Sequence, residues 1–263
     1  MKVALVIPPS WSIQTPPLGI ASTAGLLKRE GYDIQVFDKN IELFNQTARD
    51  SVNYWCFSQF RRWTEVDQFD GDTLPLLQDV FDQSVDDILM TQPEVIGFSL
   101  YDTSFLTAVY FAKKIREKAP KMKIVFGGPG ASETNFKVYF ERLEGLVDVA
   151  VIGEGEGTLV EVMERLKNKK SMKGCLGVAY EGQGAFVFEP IRPNLQLDSL
   201  PLPFFGDFDF DDYETKSLPV MMSRGCVAKC TFCSETRYWK KYRYRSADHI
   251  FSELKYDGDT YRR

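Results

Sequence analysis

The sequence lacks a long hydrophobic run. No stretch of apolar residues approaches the roughly 18 that a membrane-spanning helix requires. The first residues, MKVALVIPPSWS, contain a single lysine and an apolar run that a proline pair soon ends, so they do not resemble a secretory signal. We therefore expect a cytoplasmic protein with no membrane partner. In that compartment cysteines stay reduced, and clustered cysteines indicate metal binding or catalysis.

The common nucleotide-binding motifs are also missing. No G-x-G-x-x-G motif follows the first apolar run, and no G-x-x-x-x-G-K-[ST] loop occurs in the chain. The net charge of -5 argues against bulk attraction to nucleic acid. One basic stretch, RYWKKYRYR at residues 237–245, runs against this trend. We interpret it as a solvated face or an internal contact, so nucleic acid is not an expected partner.

The first 170 residues instead alternate short β-branched apolar runs with longer stretches at helical spacing. This alternation is typical of an α/β fold with a parallel sheet wrapped by helices. Five predicted strands lie at residues 2–8, 33–38, 94–101, 123–128 and 147–153. Helices are predicted at 76–91 and around two apolar faces, Phe105, Ala108, Val109, Ala112 and Ile115, then Leu159, Val162, Met163 and Leu166. Segment 41–75 is predicted to be an insertion, partly helical in NYWCFSQFRRW and turn-like in DQFDGDTLP.

The pattern changes after residue 170, which divides the chain into three predicted parts. Residues 1–170 form the α/β domain. Residues 171–217 hold a β-hairpin at 175–190 and an extended linker rich in proline and aspartate. Residues 218–263 begin with a short predicted strand, LPVMMS, that leads into a loop with three cysteines.

The predicted strand ends contain glycines and hydroxyl groups but few bulky side chains. In an open parallel sheet, ligands bind beyond the carboxyl ends of the strands. Glycines 127, 128, 153 and 155 let a large ligand approach the backbone, although each alone could simply turn a corner. Ser99, Thr103 and Ser132 can hydrogen-bond its polar rim. We therefore expect a binding edge here.

The cysteine loop, SRGCVAKCTFCSE, places Cys226, Cys230 and Cys233 at C-x3-C-x2-C spacing. Three thiolates on one loop suit zinc or an iron–sulfur cluster. Zinc needs a fourth ligand, and the candidates are Cys56, Cys175 and the single histidine, His249. His249 is predicted to be a solvated residue in the first turn of a helix capped by Ser246, with Ile250, Phe251 and Leu254 as its apolar face. Both other cysteines are predicted to be small buried hydrophobic residues, so the fourth position is expected to be open.

This spacing, with the aromatic Phe232 before the last cysteine, resembles the signature of the radical S-adenosylmethionine superfamily. In order, PPLGIASTAGLLKREGYDIQVFD, VIGFSLY, IVFGGPGAS, DVAVIGEGEG and LDSLPLPFF, followed by the cysteine segment, resemble the subfamily with a cobalamin-binding domain before the radical barrel. The resemblance implies a five-stranded parallel, doubly wound, flavodoxin-like sheet of the cobalamin-binding type. A hairpin, a linker and the start of a (β/α) barrel would follow.

The resemblance also implies the roles of individual residues. Cys226, Cys230 and Cys233 would hold a 4Fe-4S cluster, whose open iron binds S-adenosylmethionine, and Phe232 would lie near the adenine. Six strand-end residues match positions that contact cobalamin, namely Ser99, Thr103, Gly127, Gly128, Gly153 and Glu154. The D-x-H-x-x-G motif of methionine synthase is missing, and no histidine precedes His249. Any bound cobalamin is therefore expected to have its nucleotide tail displaced and no histidine on cobalt.

The implied reaction of the intact enzyme is methyl transfer to an unactivated carbon or phosphorus centre. The expected partners are a small-molecule or natural-product-type substrate and an electron donor such as flavodoxin or ferredoxin. The chain ends before the later barrel strands of the family, so we expect it to be inactive alone. The alternatives are a cobalamin-containing radical enzyme that performs rearrangement or oxidation, a non-catalytic cobalamin-binding module, and a zinc-stabilised interaction protein.

Overall fold

The computed structural model describes residues 1–47 and 54–261. The strands of the described residues are β1 Lys2–Ile7, β2 Asp33–Asp38, β3 Val95–Ser99, β4 Lys123–Gly127, β5 Val149–Val151, β6 Val178–Glu181, β7 Phe186–Phe188, β8 Ser223–Arg224 and β9 Arg243–Tyr244. Their helices are α1 Leu18–Arg29, α2 Lys39–Gln46, α3 Phe60–Thr64, α4 Val66–Gln68, α5 Leu74–Met90, α6 Phe105–Lys118, α7 Glu133–Val138, α8 Phe140–Leu143, α9 Glu156–Lys167, α10 Ser234–Trp239 and α11 Ala247–Tyr261.

Strands β1 to β5 form the parallel part of the main sheet, in the order β2-β1-β3-β4-β5. Parallel pairing aligns Leu5 of β1 with Gly97 of β3, and Ser99 of β3 with Gly127 of β4. The chain therefore winds outward in two directions from β1, and all five carboxyl ends lie at one edge. The five predicted strands and the doubly wound α/β class are confirmed.

The sheet is buried on both faces because side chains of a strand alternate between them. In β1, Val3, Leu5 and Ile7 enter a core with residues of α1 and α9. Ala4 and Val6 enter the opposite core, which α5 and α6 cover with aromatic rings. The predicted apolar faces of α6 and α9 belong to these two cores, and α5 confirms the helix predicted at 76–91.

The predicted hairpin is present and extends the main sheet. β6 pairs antiparallel with β5 through Ala150 and Ala179, and β7 pairs antiparallel with β6. Val178 and Ala179 are fully buried. The hairpin therefore belongs to the same core as the parallel strands.

The proline-rich linker lies over α1 as an extended segment. Phe205, Phe208 and Tyr213 are buried beside that helix. The Phe204 amide donates to the Ala21 carbonyl at 2.9 Å, and the Val36 amide donates to the Asp207 carboxylate at 2.8 Å. The aromatic side chains and these hydrogen bonds attach the linker to the α/β domain.

Two local predictions were wrong. DQFDGDTLP is not a turn, because α4 continues through a π-helical turn at Phe69–Thr73 into α5. Burial of Phe69 and a hydrogen bond from the Thr73 hydroxyl to the Arg62 carbonyl stabilise that turn. LPVMMS is not a strand, since pairing begins only at Ser223. The predicted insertion at 41–75 is helical where it is described, and its residues 48–53 lie outside the described part.

The last described helix, α11, does not have its predicted apolar face toward the protein. Phe251 and Leu254 are 69% and 52% exposed, whereas Glu253 and Asp257 are buried. An Arg245–Glu253 ion pair at 2.5 Å turns the acidic face inward. Burial, followed by repulsion from Glu253, raises the pKa of Asp257 to about 6.

The predicted cap of α11 is confirmed, because the His249 amide donates to the Ser246 hydroxyl at 3.3 Å.

Among the residues that the structure describes, no helix is both long enough and apolar enough to cross a membrane.

Two helical glycines test the contact between linker and sheet domain. A Cβ at Gly25 of α1 would lie 2.2 Å from the Leu202 carbonyl oxygen, whereas one at Gly258 of α11 would meet nothing within 4 Å. Replacing a helical glycine by alanine normally stabilises by about 1 kcal/mol. We expect that gain for Gly258→Ala but a loss of about 1–3 kcal/mol for Gly25→Ala, because the linker must move. Denaturant unfolding measures both, and stabilisation by Gly25→Ala would show that the linker is not packed there.

Candidate functional site

A cavity of about 260 Å³ lies at the carboxyl ends of β1, β3, β4 and β5, between the sheet and helices α1 and α9. Its lining is mainly apolar, with Leu5, Ile20 and Leu159 among the walls. Five of the residues predicted to bind a ligand line it, namely Ser99, Gly127, Gly128, Gly153 and Glu154. The sheet therefore has a cavity at the edge that its topology predicts.

The cavity depends on glycine because two loops approach closely there. The Leu100 amide donates to the Gly127 carbonyl at 2.7 Å, and the Gly130 amide donates to the Leu100 carbonyl at 2.8 Å. Gly128 has a φ of +89°, and a Cβ on it would lie 2.7 Å from the Leu100 oxygen. Both the backbone angle and the lack of space require glycine at this position.

A second cavity of about 660 Å³ adjoins the first. Tyr101, Pro129, Gly153, Glu154 and Tyr238 line both cavities. The second cavity is also lined by Thr103, the sixth strand-end residue of the prediction, and by Phe232 and Cys233 of the cysteine loop. The structure thus brings the predicted strand-end residues and part of the cysteine loop around one continuous region.

Two aromatic side chains that the sequence analysis missed shape this region. Trp11 stacks on Tyr101 with ring centroids 3.3 Å apart and an angle of 4°. The Thr103 hydroxyl donates to the Ser10 carbonyl at 2.5 Å, which fixes the loop that holds Trp11. Burial raises the pKa of Tyr101 to about 12, so its phenol stays neutral. Because Trp11 follows the first strand, its position at a strand end was the signal that could have identified it.

The three predicted ligand cysteines lie on one loop between β8 and α10. Their thiols are free, with Cys226 and Cys230 exposed and Cys233 half-buried. The backbone amides of Thr236 and Glu235 lower the pKa of the Cys233 thiol, which favours the thiolate that binds metals. No three histidine, cysteine or acidic side chains of residues 1–47 and 54–261 are grouped closely enough to hold a metal ion. The loop therefore supplies a soft donor set that suits an iron–sulfur cluster, but its thiols are not gathered around one point.

The candidate fourth ligands have other environments. Cys175 is buried as predicted, and burial raises the pKa of its thiol. Cys56 is exposed, so its predicted burial was wrong. His249 is not a solvated residue, because its Nδ1 accepts a hydrogen bond from Arg245 Nε at 3.1 Å and lies 3.3 Å from an Asp198 oxygen. Across the described residues, none of the three joins the cysteines as a ligand group.

Glu154 is positioned differently from the other predicted contact residues. Its side chain is 7% exposed and accepts hydrogen bonds from Arg224 Nη1 at 3.2 Å and Arg243 Nη1 at 3.1 Å. Arg224 also pairs with Glu156. Burial lowers the pKa of Arg224, but Glu156 and Glu154 outweigh that effect and raise it. The Glu154 carboxylate is therefore already satisfied by cations from both sides of the cysteine loop.

A protein-family model matches the part of the chain that contains much of this site. Residues 59–163 match the model of the B12 binding domain, a span that includes β3 to β5 and the loops at their carboxyl ends. Over this span the chain is similar to the B12 binding domain.

Curated relatives extend the similarity beyond the B12-binding domain. The chain is 28% identical over 266 residues to an uncharacterised methyltransferase of Pyrococcus horikoshii, covering 97% of this chain and 50% of the relative. It is 24% identical over 289 residues to cytidylyl-2-hydroxyethylphosphonate methyltransferase of Streptomyces wedmorensis, covering 94% and 49%. The chain spans about half the length of these curated relatives.

Two solved structures share the fold of this chain. The radical S-adenosylmethionine methyltransferase TsrM of Kitasatospora setae, with cobalamin and a [4Fe-4S] cluster bound, matches with a TM-score of 0.66 and 15% identity, over 98% of this chain and 47% of that one. The cobalamin-dependent radical enzyme OxsB, with aqua-cobalamin and S-adenosylmethionine bound, matches with a TM-score of 0.67 and 18% identity, over 97% and 31%. The resemblance inferred from the motifs is confirmed, and the fold is that of cobalamin-dependent radical enzymes.

Two glycines with left-handed backbone angles test how the loops of the sheet domain pack. Gly128 has a φ of +89° with no room for a Cβ, whereas Gly31 has a φ of +81° with nothing within 4 Å. Alanine at either site adds about 1–2 kcal/mol of backbone strain. We expect Gly128→Ala to lose about 1–3 kcal/mol more than Gly31→Ala, since only Gly128 meets the Leu100 backbone. Equal losses in denaturant unfolding would contradict the close approach of the two loops.

Proposed function

We propose that this chain forms the cobalamin-binding and cluster-binding part of a cobalamin-dependent radical S-adenosylmethionine enzyme. Residues 1–170 would bind cobalamin, residues 171–217 would connect, and residues 218–263 would hold the cluster. The adjoining cavities are the observation that supports this proposal most strongly, because predicted cobalamin residues line one and the cysteine loop lines the other.

Cobalamin would fit the first cavity because exposed glycine backbone and apolar side chains line that cavity. Gly127, Gly128 and Gly153 would allow the nucleotide tail to lie against the sheet edge, and the Ser99 hydroxyl would bond its polar groups. Thr103 and Glu154 already bond to protein groups, so their side chains would support the site more than contact the ligand. The single histidine, His249, lines neither of the two adjoining cavities, which supports a cobalt without a histidine ligand.

Cys226, Cys230 and Cys233 would hold a 4Fe-4S cluster, and its open position would bind S-adenosylmethionine. When bound, the cluster supplies the electron that cleaves this cosubstrate to a 5'-deoxyadenosyl radical. Phe232 is 90% exposed and lines the second cavity, so its ring is free to cover an adenine. The lowered pKa of the Cys233 thiol favours the thiolate, which is the form that binds iron.

Methyl transfer to an unactivated carbon or phosphorus centre is the proposed reaction of the whole enzyme. Relatives that align with nearly all of this chain are named methyltransferases, one of them for a phosphonate. The substrate would be a small molecule of natural-product type, and flavodoxin or ferredoxin would donate the electron. We place the protein in the cytoplasm.

A second candidate is oxidation or ring formation without methyl transfer. The anaerobic magnesium-protoporphyrin IX monomethyl ester cyclase of Synechocystis is 22% identical over 97% of this chain. Product analysis distinguishes the two reactions, since only the first adds a methyl group to the substrate.

Replacing all three cysteines separates the two cofactor sites. In the Cys226→Ala, Cys230→Ala, Cys233→Ala variant, we expect iron and sulfide to be lost and bound corrinoid to remain, because the cobalamin residues belong to the sheet edge. Metal analysis and ultraviolet-visible spectra of the anaerobically purified chain measure both, with Cys56→Ala as the matched control on an exposed cysteine. Zinc without iron in the unmodified chain would instead indicate a zinc-stabilised protein, and absence of corrinoid from it would contradict the cobalamin site.

A further inference from the structure

Four charged residues form a largely buried cluster between the sheet edge and the segment 223–244, which comprises β8, the cysteine loop, α10 and β9 and which we call the cysteine hairpin. We call Glu154, Glu156, Arg224 and Arg243 the Glu154 ion cluster. The two carboxylates come from the loop after β5 and the start of α9, and the two guanidinium groups come from β8 and β9. Their exposed side-chain fractions are 7%, 14%, 6% and 19% in that order. Each arginine is therefore paired with a carboxylate that is largely shielded from bulk water.

Both strands of the cysteine hairpin contribute an arginine that binds the carboxylates of the cluster. Arg224 precedes Cys226 by one glycine and bonds both Glu154 and Glu156. Arg243 lies on the partner strand and reaches Glu154 with both of its terminal nitrogens. A third attachment comes from Tyr238, whose hydroxyl donates to the Gly153 carbonyl at 2.7 Å. These contacts all end on residues 153–156, the same loop that lines both cavities.

Outside the cluster and Tyr238, Arg243 Nη1 also donates to the Leu195 carbonyl of the linker at 3.0 Å. Strands β8 and β9 pair through only two residues each, and Cys226 to Phe232 are largely exposed. Gly225, with a φ of +82°, packs so closely on Lys241 that a Cβ would lie 2.4 Å from its carbonyl oxygen. This contact shapes the turn itself but does not attach it to the sheet. The ion cluster and Tyr238 therefore attach the hairpin to residues 153–156, and Arg243 also attaches it to the linker.

Buried ion pairs add little net stability but are costly to break, because the remaining charge is left without a partner. Their main effect is on geometry. When a guanidinium group makes two parallel hydrogen bonds to one carboxylate, both the distance and the relative orientation of the two segments are fixed. A cluster of this kind suits a hairpin that must be held at one place above a cavity.

We infer that Glu154 is a positioning residue, which binds the cysteine hairpin through Arg224 and Arg243 and so sets where the cysteines lie relative to the strand-end cavities. The inference deepens the proposed function and rests on it for the identity of what the two sites hold. It revises the role that the sequence predicted for Glu154, because its carboxylate faces two arginines and acts on the ligand site through them.

The first test needs no cofactor and uses hydrogen exchange of the full chain. In Glu154→Gln we expect the hydrogen-bonded amides of the β8–β9 pair, within residues 223–224 and 243–245, to exchange about tenfold faster or more, while strands β1, β3 and β4 are unchanged. Glu133→Gln is the matched control, since Glu133 lines the same cavity but forms only an exposed pair with Lys137. Unchanged exchange in the hairpin, or an equal increase throughout the sheet, would overturn the inference.

A double-mutant cycle tests the pairing itself. Arg243→Gln alone should speed exchange in the same segment. Its effect should be smaller when it is added to Glu154→Gln, because the shared interaction is already lost and only the bond to the Leu195 carbonyl remains to be broken. Additive effects would show that the two residues act independently and would contradict the inference. If Glu154→Gln does not fold, Arg243→Lys keeps the charge but removes the fork, and we expect a smaller increase in exchange confined to the same residues.

The second test uses the chain loaded with corrinoid and cluster. Glu154→Gln should retain both, measured as cobalt and iron content, but should change the magnetic interaction between Co(II) and the reduced cluster in electron paramagnetic resonance spectra. Glu133→Gln should leave that interaction as in the unmodified chain. Loss of corrinoid with unchanged hairpin exchange would show that Glu154 contacts the ligand directly, which overturns the positioning role. If the unmodified chain binds neither cofactor, the proposed function fails, but the exchange result still decides the role of Glu154.

Discussion

Parallel pairing of β1 to β5 is the constraint on which the rest of the structure depends. Because all five strands run the same way, their carboxyl ends meet at one edge, and the chain reverses its winding direction beside β1. The loops at this edge can approach each other only where side chains are absent, as at Gly128. The mainly apolar cavity lies among these loops, because the parallel strands bring the loops to one edge and glycine lets them approach closely.

The cysteine loop reaches this edge through two attachments of different physical kinds. The linker packs on α1 through buried aromatic rings such as Phe205, and it contacts α11 because the Phe205 amide donates to the Tyr261 hydroxyl at 2.9 Å. The Glu154 ion cluster then orients the hairpin by charge. Apolar burial is non-directional and brings the segments together, whereas the ion pairs fix how they face each other.

Much of the fold followed from the sequence because buried parallel strands have near-continuous apolar runs, such as VALVI in β1. The predicted ligand residues Ser99, Gly127 and Gly153 also lie at one cavity, since strand order decides which ends are neighbours. The ion cluster was not predictable in this way. Glu154 and Arg243 are separated by 89 positions, and no local period relates them. For α11, periodicity misled because the face toward the protein contains Glu253, which pairs with Arg245, whereas Phe251 is exposed.

We propose that the sheet edge binds a corrinoid whose cobalt has no protein nitrogen ligand. Electron paramagnetic resonance of the Co(II) corrinoid bound to this chain tests it most directly, since a coordinated nitrogen splits the cobalt lines. We expect a bound Co(II) signal without nitrogen superhyperfine splitting, because His249, the single histidine, lines neither cavity. A nitrogen-split spectrum, or no bound corrinoid, would contradict the account.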